Sequence, residues 1–204
     1  MCVLLLRTRR ALLTFPPLAV IGLATSGCAR DDLAEQYRGG SNKNYVAGDG
    51  TVIEWPIGSR GEPVEFVGTG ETGESISSDD YRGQVLVVNF WYAACAPCRA
   101  EAPDLQALHE QYDGNGATFL GVNVRDQAET AVAFANTYDI TYPSIIDTDA
   151  AVALAFAGKF AANAVPTTLV LDVEGRPAAR ILGRVTARSI LDTLIADTIA
   201  EAAS

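Results

Sequence analysis

The sequence predicts a single α/β domain with a central mixed β-sheet and helices on both of its faces. Three observations lead to this prediction. Strand and helix patterns alternate along most of the chain, as they do in sheets that are covered by helices. The runs 84–91 and 117–124 are almost continuously apolar, as expected of strands buried on both faces. The 204 residues are 49% hydrophobic and 20% charged, which is the composition of a folded protein.

The first half of the domain is predicted as a hairpin followed by a β-α-β-α series. The segments PVEFVG and ESIS flank a glycine-rich turn and form the hairpin. Strand 84–91 leads into a helix over 95–112, whose apolar residues fall on one stripe. Strand 117–124 leads into an alanine-rich helix over 128–138. In sheets of this kind, functional groups gather where the strands end at their carboxyl side.

The second half of the domain is predicted as β-α-β-β-α. The segment PSIID is a short strand, and a helix follows over 150–157. The run 167–183 is a hairpin that turns at Glu174 and Gly175. Thr186 is the expected N-cap of a final helix that extends to about residue 202.

The first 28 residues have the pattern of a secretory signal. Three arginines precede an apolar stretch over 11–24, and small residues and Cys28 follow it. The stretch is shorter than the roughly twenty residues that a membrane helix needs. Because TSGC resembles a bacterial lipobox, we predict a lipoprotein-type signal peptide over 1–27 and lipidation of Cys28. An uncleaved anchor and plain secretion are the alternatives, and all three place the folded domain outside the cytoplasm.

Residues 28–60 are predicted to be a flexible tether, because they are polar, contain glycine and lack sustained periodicity.

Of the four cysteines, Cys2 leaves with the signal and Cys28 takes the lipid. The exported domain keeps only Cys95 and Cys98, in a compartment that permits a disulfide. Without the three signal arginines, 12 basic residues face 25 acidic ones. So acidic a surface repels phosphate backbones, which argues against nucleic-acid binding.

The pair Cys95 and Cys98 has three interpretations. A structural zinc site needs four Cys or His ligands. The single histidine, His109, lies about 16 Å further along the helix, where we expect it on the surface, so no metal site is predicted. A disulfide that closes a two-residue loop stabilises little. A redox pair fits best, because the first turn of a helix stabilises a Cys95 thiolate and Cys98 can resolve a mixed disulfide with a client.

The segment VVNFWYAACAPCRAEAP resembles the active site of the TlpA/ResA-like thiol–disulfide oxidoreductases, which are membrane-tethered members of the thioredoxin superfamily. Three further segments match in order: FLGVNVRD, AFANTYDITYPSIID and NAVPTTLVLDVEGRP. The resemblance covers roughly residues 61–204. It implies a thioredoxin-like fold over 61–204 with the helix–strand insertion of this branch, and it implies no cofactor beyond the cysteine pair.

The resemblance also assigns roles to residues near the pair. Cys95 matches the exposed nucleophile and Cys98 the resolving thiol. Glu101 matches an acidic residue that is implied to raise the thiol pKa values and to relay protons. Two positions depart from related proteins: Ala94 stands where the family commonly has Trp, and Asn89 stands where thioredoxins proper have a buried Asp.

Pro166 completes the implied catalytic site, and three further residues are expected to meet the client. Pro166 matches a cis-proline that faces the cysteine pair. The backbone of Val165 is implied to pair with a bound client in the manner of a β-strand. Trp91 and Pro97 are expected to contact the client as well.

The predicted function is therefore an extracytoplasmic thiol–disulfide oxidoreductase that reduces client disulfides at the bacterial cell membrane. The resemblance implies service in cytochrome c maturation and a membrane electron carrier of the CcdA/DsbD type. Two alternatives remain at this stage. One is a peroxiredoxin-like peroxide reductase, for which Arg125 is the candidate activating residue. The other is a non-enzymatic copper chaperone of the SCO type, although such proteins use CxxxC rather than CxxC.

Overall fold

The computed structural model describes residues 50–203, which form a six-stranded sheet, a separate two-stranded hairpin and four helices. The strands are β1 (Thr51–Glu54), β2 (Val67–Thr69), β3 (Ser75–Ser77), β4 (Val85–Trp91), β5 (Ala117–Asn123), β6 (Ser144–Ile146), β7 (Thr167–Leu171) and β8 (Pro177–Leu182). The helices are α1 (Ala96–Tyr112), α2 (Ala128–Tyr138), α3 (Ala151–Ala155) and α4 (Arg188–Ala202). The predicted order of elements from the hairpin onward is confirmed.

The sheet is mixed, with the strand order β1-β8-β7-β4-β5-β6. Strands β4, β5 and β6 are parallel, and β7 runs antiparallel to β4. The register pairs Trp91 at the end of β4 with Asn123 at the end of β5, and it pairs Phe90 with Thr167 at the start of β7. As a result, the segments that follow β4 and β5 and the segment that precedes β7 all meet at the same end of these central strands.

Apolar side chains form a core on each face of the sheet. All seven residues of β4 are buried, because the strand lies in the middle of the sheet and is covered on both sides. Val85 and Val87 point towards α1 and α4, where they pack in one core with Leu105 and Leu191. The alternate residues of β4 belong to a second core with Phe156, on the side of α3 and the hairpin β2–β3. The predicted placement of helices on both faces is confirmed.

The folded domain begins earlier than predicted, because the last ten residues assigned to the tether are structured. Strand β1 pairs antiparallel with β8, from Thr51 opposite Leu182 onward. Trp55 is buried, and so is Arg60, whose guanidinium forms ion pairs with Asp172 and Glu201. The boundary expected at residue 61 is therefore wrong for this stretch. The predicted signal peptide, Cys28 and the remainder of the tether lie outside the described residues.

Two local predictions are also corrected. Helix α4 has Ala187 as its N-cap, without a side-chain cap hydrogen bond, so Thr186 does not cap it. His109 is not on the helix surface but is only 8% exposed, with its ring 5.7 Å from that of Phe119 and 5.4 Å from that of Tyr142. Within residues 50–203, no helix combines the length and the apolar character that crossing a membrane requires.

Candidate active site

Cys95 and Cys98 form a disulfide at the start of α1. The S–S distance is 2.09 Å and the two Cα atoms are 5.3 Å apart. Cys95 is the N-cap residue of the helix, and its Sγ accepts a hydrogen bond of 3.2 Å from the backbone N–H of Cys98. The first N–H groups of a helix have no partner within the helix, and here that of Cys98 is directed at the Cys95 sulfur, which stabilises negative charge on Cys95 when the disulfide is opened.

The sulfur pair is buried, which corrects the expectation of an exposed nucleophile. Cys95 is 0% and Cys98 is 2% exposed in this disulfide-bonded form. The two residues belong to a small core with Trp91 and Tyr92, and the half-buried Val165 packs against it. A client can reach Cys95 only after the residues around it, such as Val165, give way.

The segment before β7 faces the cysteine pair as the family resemblance implied. The peptide bond between Val165 and Pro166 is cis. The carbonyl oxygen of Val165 lies 4.0 Å from the Sγ of Cys95. The carbonyl oxygen of Pro166 accepts a hydrogen bond of 2.9 Å from the N–H of Gly183, which ties this segment to the loop after β8. The strand-like pairing of Val165 with a client stays a prediction.

Glu101 lies one turn after Cys98, and its carboxyl group is completely buried. One carboxyl oxygen accepts a hydrogen bond of 2.9 Å from the side-chain amide of Asn89, and the other accepts one of 2.8 Å from the N–H of Val185. Asn89 also donates to the hydroxyl of Thr168. Burial raises the pKa of Glu101 from its ordinary value to about 7, despite these two hydrogen bonds, which lower it. The group therefore changes its charge near neutral pH.

The turn before Cys95 is held by residues that the sequence did not single out. The N–H of Ala93 donates a hydrogen bond of 2.6 Å to the carboxylate of Asp126, and the side-chain amide of Asn123 donates to the same oxygen. The carbonyl oxygen of the Asn123 side chain in turn accepts from the N–H of Asp126. The pairing of β4 with β5 places this loop beside the cysteine pair, and the sequence alone does not give that register.

The two other residues expected to contact a client have different positions. Trp91 is buried, with its ring 4.3 Å from that of Phe134, and it packs in the same small core as the two cysteines; its contact with a client stays a prediction. Pro97 is half-buried at the start of α1. A cavity behind Cys98 is lined by Asn89, Trp91, Cys98, Ala102, Leu105, Phe134, Ala135, Ile140, Tyr142 and Ser144.

The residues on which the alternative functions depended pack against aromatic rings. The guanidinium of Arg125 lies over the ring of Tyr92, 4.3 Å from its centroid. His109 is enclosed by aromatic rings in the core, as described above. In the part of the chain from 50 to 203, no group of three or more His, Cys, Asp or Glu side chains has the arrangement of a metal site.

The chain is similar in sequence to known thiol–disulfide oxidoreductases. The model of the AhpC/TSA family matches residues 61–177. The chain is 32% identical to the thiol–disulfide oxidoreductase ResA of Geobacillus kaustophilus over 126 residues, which are 62% of this chain and 70% of that protein. It is 26% identical to ResA of Bacillus subtilis over 136 residues, 67% of this chain and 74% of that protein.

Solved structures of thiol–disulfide proteins also superpose on this chain. A DsbF homologue from Corynebacterium diphtheriae superposes with a TM-score of 0.64 at 38% identity, covering 75% of this chain and 96% of the other. A secreted thiol–disulfide isomerase from Corynebacterium glutamicum superposes with a TM-score of 0.64 at 34% identity, covering 76% and 96%. The fold is thus thioredoxin-like. With its Cys-x-x-Cys disulfide at a helix start, the chain belongs to the AhpC/TSA family and, within it, to the thiol–disulfide oxidoreductases of the ResA type.

Proposed function

We propose that this oxidoreductase reduces disulfides of client proteins on the outer side of a bacterial membrane. The observation that carries the proposal is the Cys95–Cys98 disulfide at the N-terminus of α1 with the buried carboxyl group of Glu101 one turn away. The helix start favours attack by the sulfur of Cys95. The carboxyl group of Glu101, one turn after Cys98, is the candidate group for shifting the pKa of the Cys98 thiol.

The reaction proceeds in two exchanges. In the reduced protein, the Cys95 thiolate attacks one sulfur of the client disulfide, and the other client sulfur leaves with the electron pair. The Cys98 thiolate then attacks the Sγ of Cys95, which releases the second client sulfur and restores the Cys95–Cys98 bond. The client gains two electrons and two protons, and the protein loses both. We assign the proton of the Cys98 thiol to Glu101, because Cys98 and Asn89 line the same cavity and the Asn89 side chain donates a hydrogen bond to the Glu101 carboxyl.

Two opposing effects on the thiols bear on the direction of electron flow. The helix N-terminus and the N–H of Cys98 stabilise the Cys95 thiolate, which favours the reduced form. Glu101, with a pKa of about 7, is partly ionised at neutral pH. Its negative charge on the next turn makes a second nearby negative charge costly. This raises the energy of the reduced form when it is ionised and supports a role as an electron donor.

The setting of the reaction is part of the proposal. Lipidation of Cys28 would keep the domain at the membrane surface, where a carrier of the CcdA/DsbD type can re-reduce the pair. Service in cytochrome c maturation is the client role that the family resemblance suggests. Replacing Cys28 with Ser in the full chain tests the anchor. The variant should move from the membrane fraction to the soluble fraction, and unchanged fractionation would contradict lipid anchoring.

The reduction potential of the pair tests the direction of the reaction. Equilibration of the protein with dithiothreitol, followed by alkylation and mass measurement, gives the oxidised fraction. A value near that of thioredoxin, about −270 mV, is expected of a reductase. A value near about −120 mV would indicate an oxidant and would refute the proposed direction. The Glu101→Gln variant should be less reducing than the parent by about 30 mV, because the buried negative charge is gone.

A further inference from the structure

Three arginines lie around the cysteine pair of a chain that is otherwise acidic. The chain has 25 acidic and 15 basic residues, a net charge of −10. Arg99, Arg125 and Arg184 are all solvent-exposed and come from three different segments of the fold. We call these three side chains the arginine rim.

Two members of the arginine rim contact the turn before Cys95. Arg99 directly follows Cys98 on α1, and its guanidinium donates a hydrogen bond of 3.3 Å to the carbonyl oxygen of Ala93. Arg125 belongs to the loop after β5, and its guanidinium lies 4.3 Å from the centroid of the Tyr92 ring. The two positive charges therefore lie against adjacent residues of one turn.

The third member lies beside the cis-proline. Arg184 is flanked by Gly183, whose N–H donates to the carbonyl of Pro166, and by Val185, whose N–H donates to the carboxyl of Glu101. Its positive charge is close enough to lower the pKa of Glu101, although burial outweighs this effect. Arg184 thus adds a positive charge next to the segment that faces the sulfur atoms.

Arg99 and Arg184 of the arginine rim differ in their pairing from two arginines at the other end of the sheet. Arg82 and Arg176, at the opposite end of the sheet, form ion pairs with nearby carboxylates. Among residues 50–203, neither Arg99 nor Arg184 takes part in an ion pair.

The carboxylates at the site itself are used internally. That of Asp126 accepts hydrogen bonds from the N–H of Ala93 and the side chain of Asn123. That of Glu101 is buried. Among the described residues, the positive charges of Arg99 and Arg184 are therefore not neutralised by a carboxylate.

We propose that the arginine rim selects clients whose cysteine stands among acidic residues. This inference rests on the proposed function, because the partner is the polypeptide that brings a disulfide to Cys95. Complementary charges raise association rates and favour matching partners. Charges further than about 8 Å from the site are screened at physiological salt, so the acidic residues must lie within a few positions of the client cysteine. The acidic surface elsewhere would repel such a client, which leaves the rim as its point of entry.

Two symmetric peptide disulfides test the inference. They are identical except that each cysteine is flanked by glutamates in one peptide and by lysines in the other. The pre-reduced protein, freed of reductant, converts one peptide disulfide into two peptide thiols and becomes the Cys95–Cys98 disulfide. The rate of reduction by dithiothreitol, measured in parallel, corrects for the intrinsic reactivity of each peptide. Because any change in the reactivity of Cys95 affects both peptides equally, the corrected ratio of the two rates reports recognition alone.

The acidic peptide should react about five times faster than the basic one at low salt, and the ratio should approach one at high salt. In the double variant Arg99→Gln, Arg184→Gln, the low-salt ratio should fall to less than half. The control Arg82→Gln removes an arginine about 20 Å away at the other end of β4 and should leave the ratio unchanged. A ratio of one or below, or a ratio that the double variant retains, overturns the inference while the proposed function stands. If neither peptide is reduced, the inference and the proposed function both fail.

Discussion

The buried carboxyl group of Glu101 makes the stability of the oxidised protein depend on pH in a way that a single substitution can reveal. The group has no exposed surface, and its pKa is raised from 4.5 to about 7, mainly by desolvation. A carboxyl with a raised pKa binds its proton more tightly in the folded than in the unfolded state. The folded state therefore loses stability from this group as the pH rises from about 4.5 to about 7.

The size of the effect follows from the two pKa values. Each pKa unit corresponds to about 1.4 kcal/mol, so the full effect is about 3 kcal/mol. The Glu101→Gln variant has the shape of the protonated acid but cannot ionise. One of its terminal atoms can still accept a hydrogen bond, whereas the amide nitrogen cannot accept from Asn89 or Val185, which costs about 1 kcal/mol at any pH. The stability of the variant relative to the parent should therefore improve by about 3 kcal/mol between pH 4.5 and pH 8.

Urea unfolding of the oxidised proteins at several pH values measures this difference. The intact disulfide keeps the two thiols from titrating, so they do not contribute. The control Glu129→Gln removes one exposed carboxylate from α2 and reports the effect of net charge alone. If the difference between the Glu101→Gln variant and the parent varies by less than about 0.5 kcal/mol over this range, the assignment of a buried, ionising carboxyl is refuted.

Two further substitutions test buried polar groups of the domain. Replacing Arg60 with Met breaks its buried ion pair with Asp172 and should lower the free energy of unfolding by about 3 kcal/mol in urea; a loss below about 1 kcal/mol would contradict the role of this pair. Replacing His109 with Phe removes a buried Nδ1 atom that has no hydrogen-bond partner and should stabilise the protein by about 1 kcal/mol at pH 7. Desolvation lowers the pKa of His109, so the parent loses stability as the pH falls below 6.5. The stability advantage of the His109→Phe variant should therefore increase at low pH. Thermal unfolding that shows the same advantage at pH 7 and at low pH would contradict the burial of this group.

The sequence predicted the centre of the fold well, because its patterns there are strong and local. The apolar run of β4 and the alanine-rich helix α2 were placed to within one residue of their observed bounds. Strand β1 was missed because it has four residues, mostly exposed, at the edge of the sheet. The strand is held by its pairing with β8, and the segment after it is held by the buried Arg60. Both bind residues more than one hundred positions away in the sequence.

The site was predicted only in part, because some of its residues lie in informative local segments and others depend on long-range packing. The cysteine pair and Pro166 lie in short segments whose sequence is informative. The contact of Asp126 with Ala93 requires the register of β4 against β5, and the burial of Glu101 requires the loop that carries Val185. His109 was expected on the surface because a histidine on a helix gives no sign of the aromatic rings that enclose it. Long-range packing decided each of these cases.

The most direct test of the account is the capture of a client by single-cysteine variants. The Cys98→Ser variant keeps the attacking thiol of Cys95 but cannot resolve the intermediate, so mixing it with a disulfide-bonded substrate should yield a stable mixed disulfide through Cys95, detected by mass spectrometry. The matched Cys95→Ser variant should form little or none, because Cys95 at the N-cap is the sulfur whose thiolate the helix start stabilises, whereas Cys98 lies further into α1. Equal or greater capture through Cys98, or no capture by either variant, would contradict electron exchange initiated at Cys95.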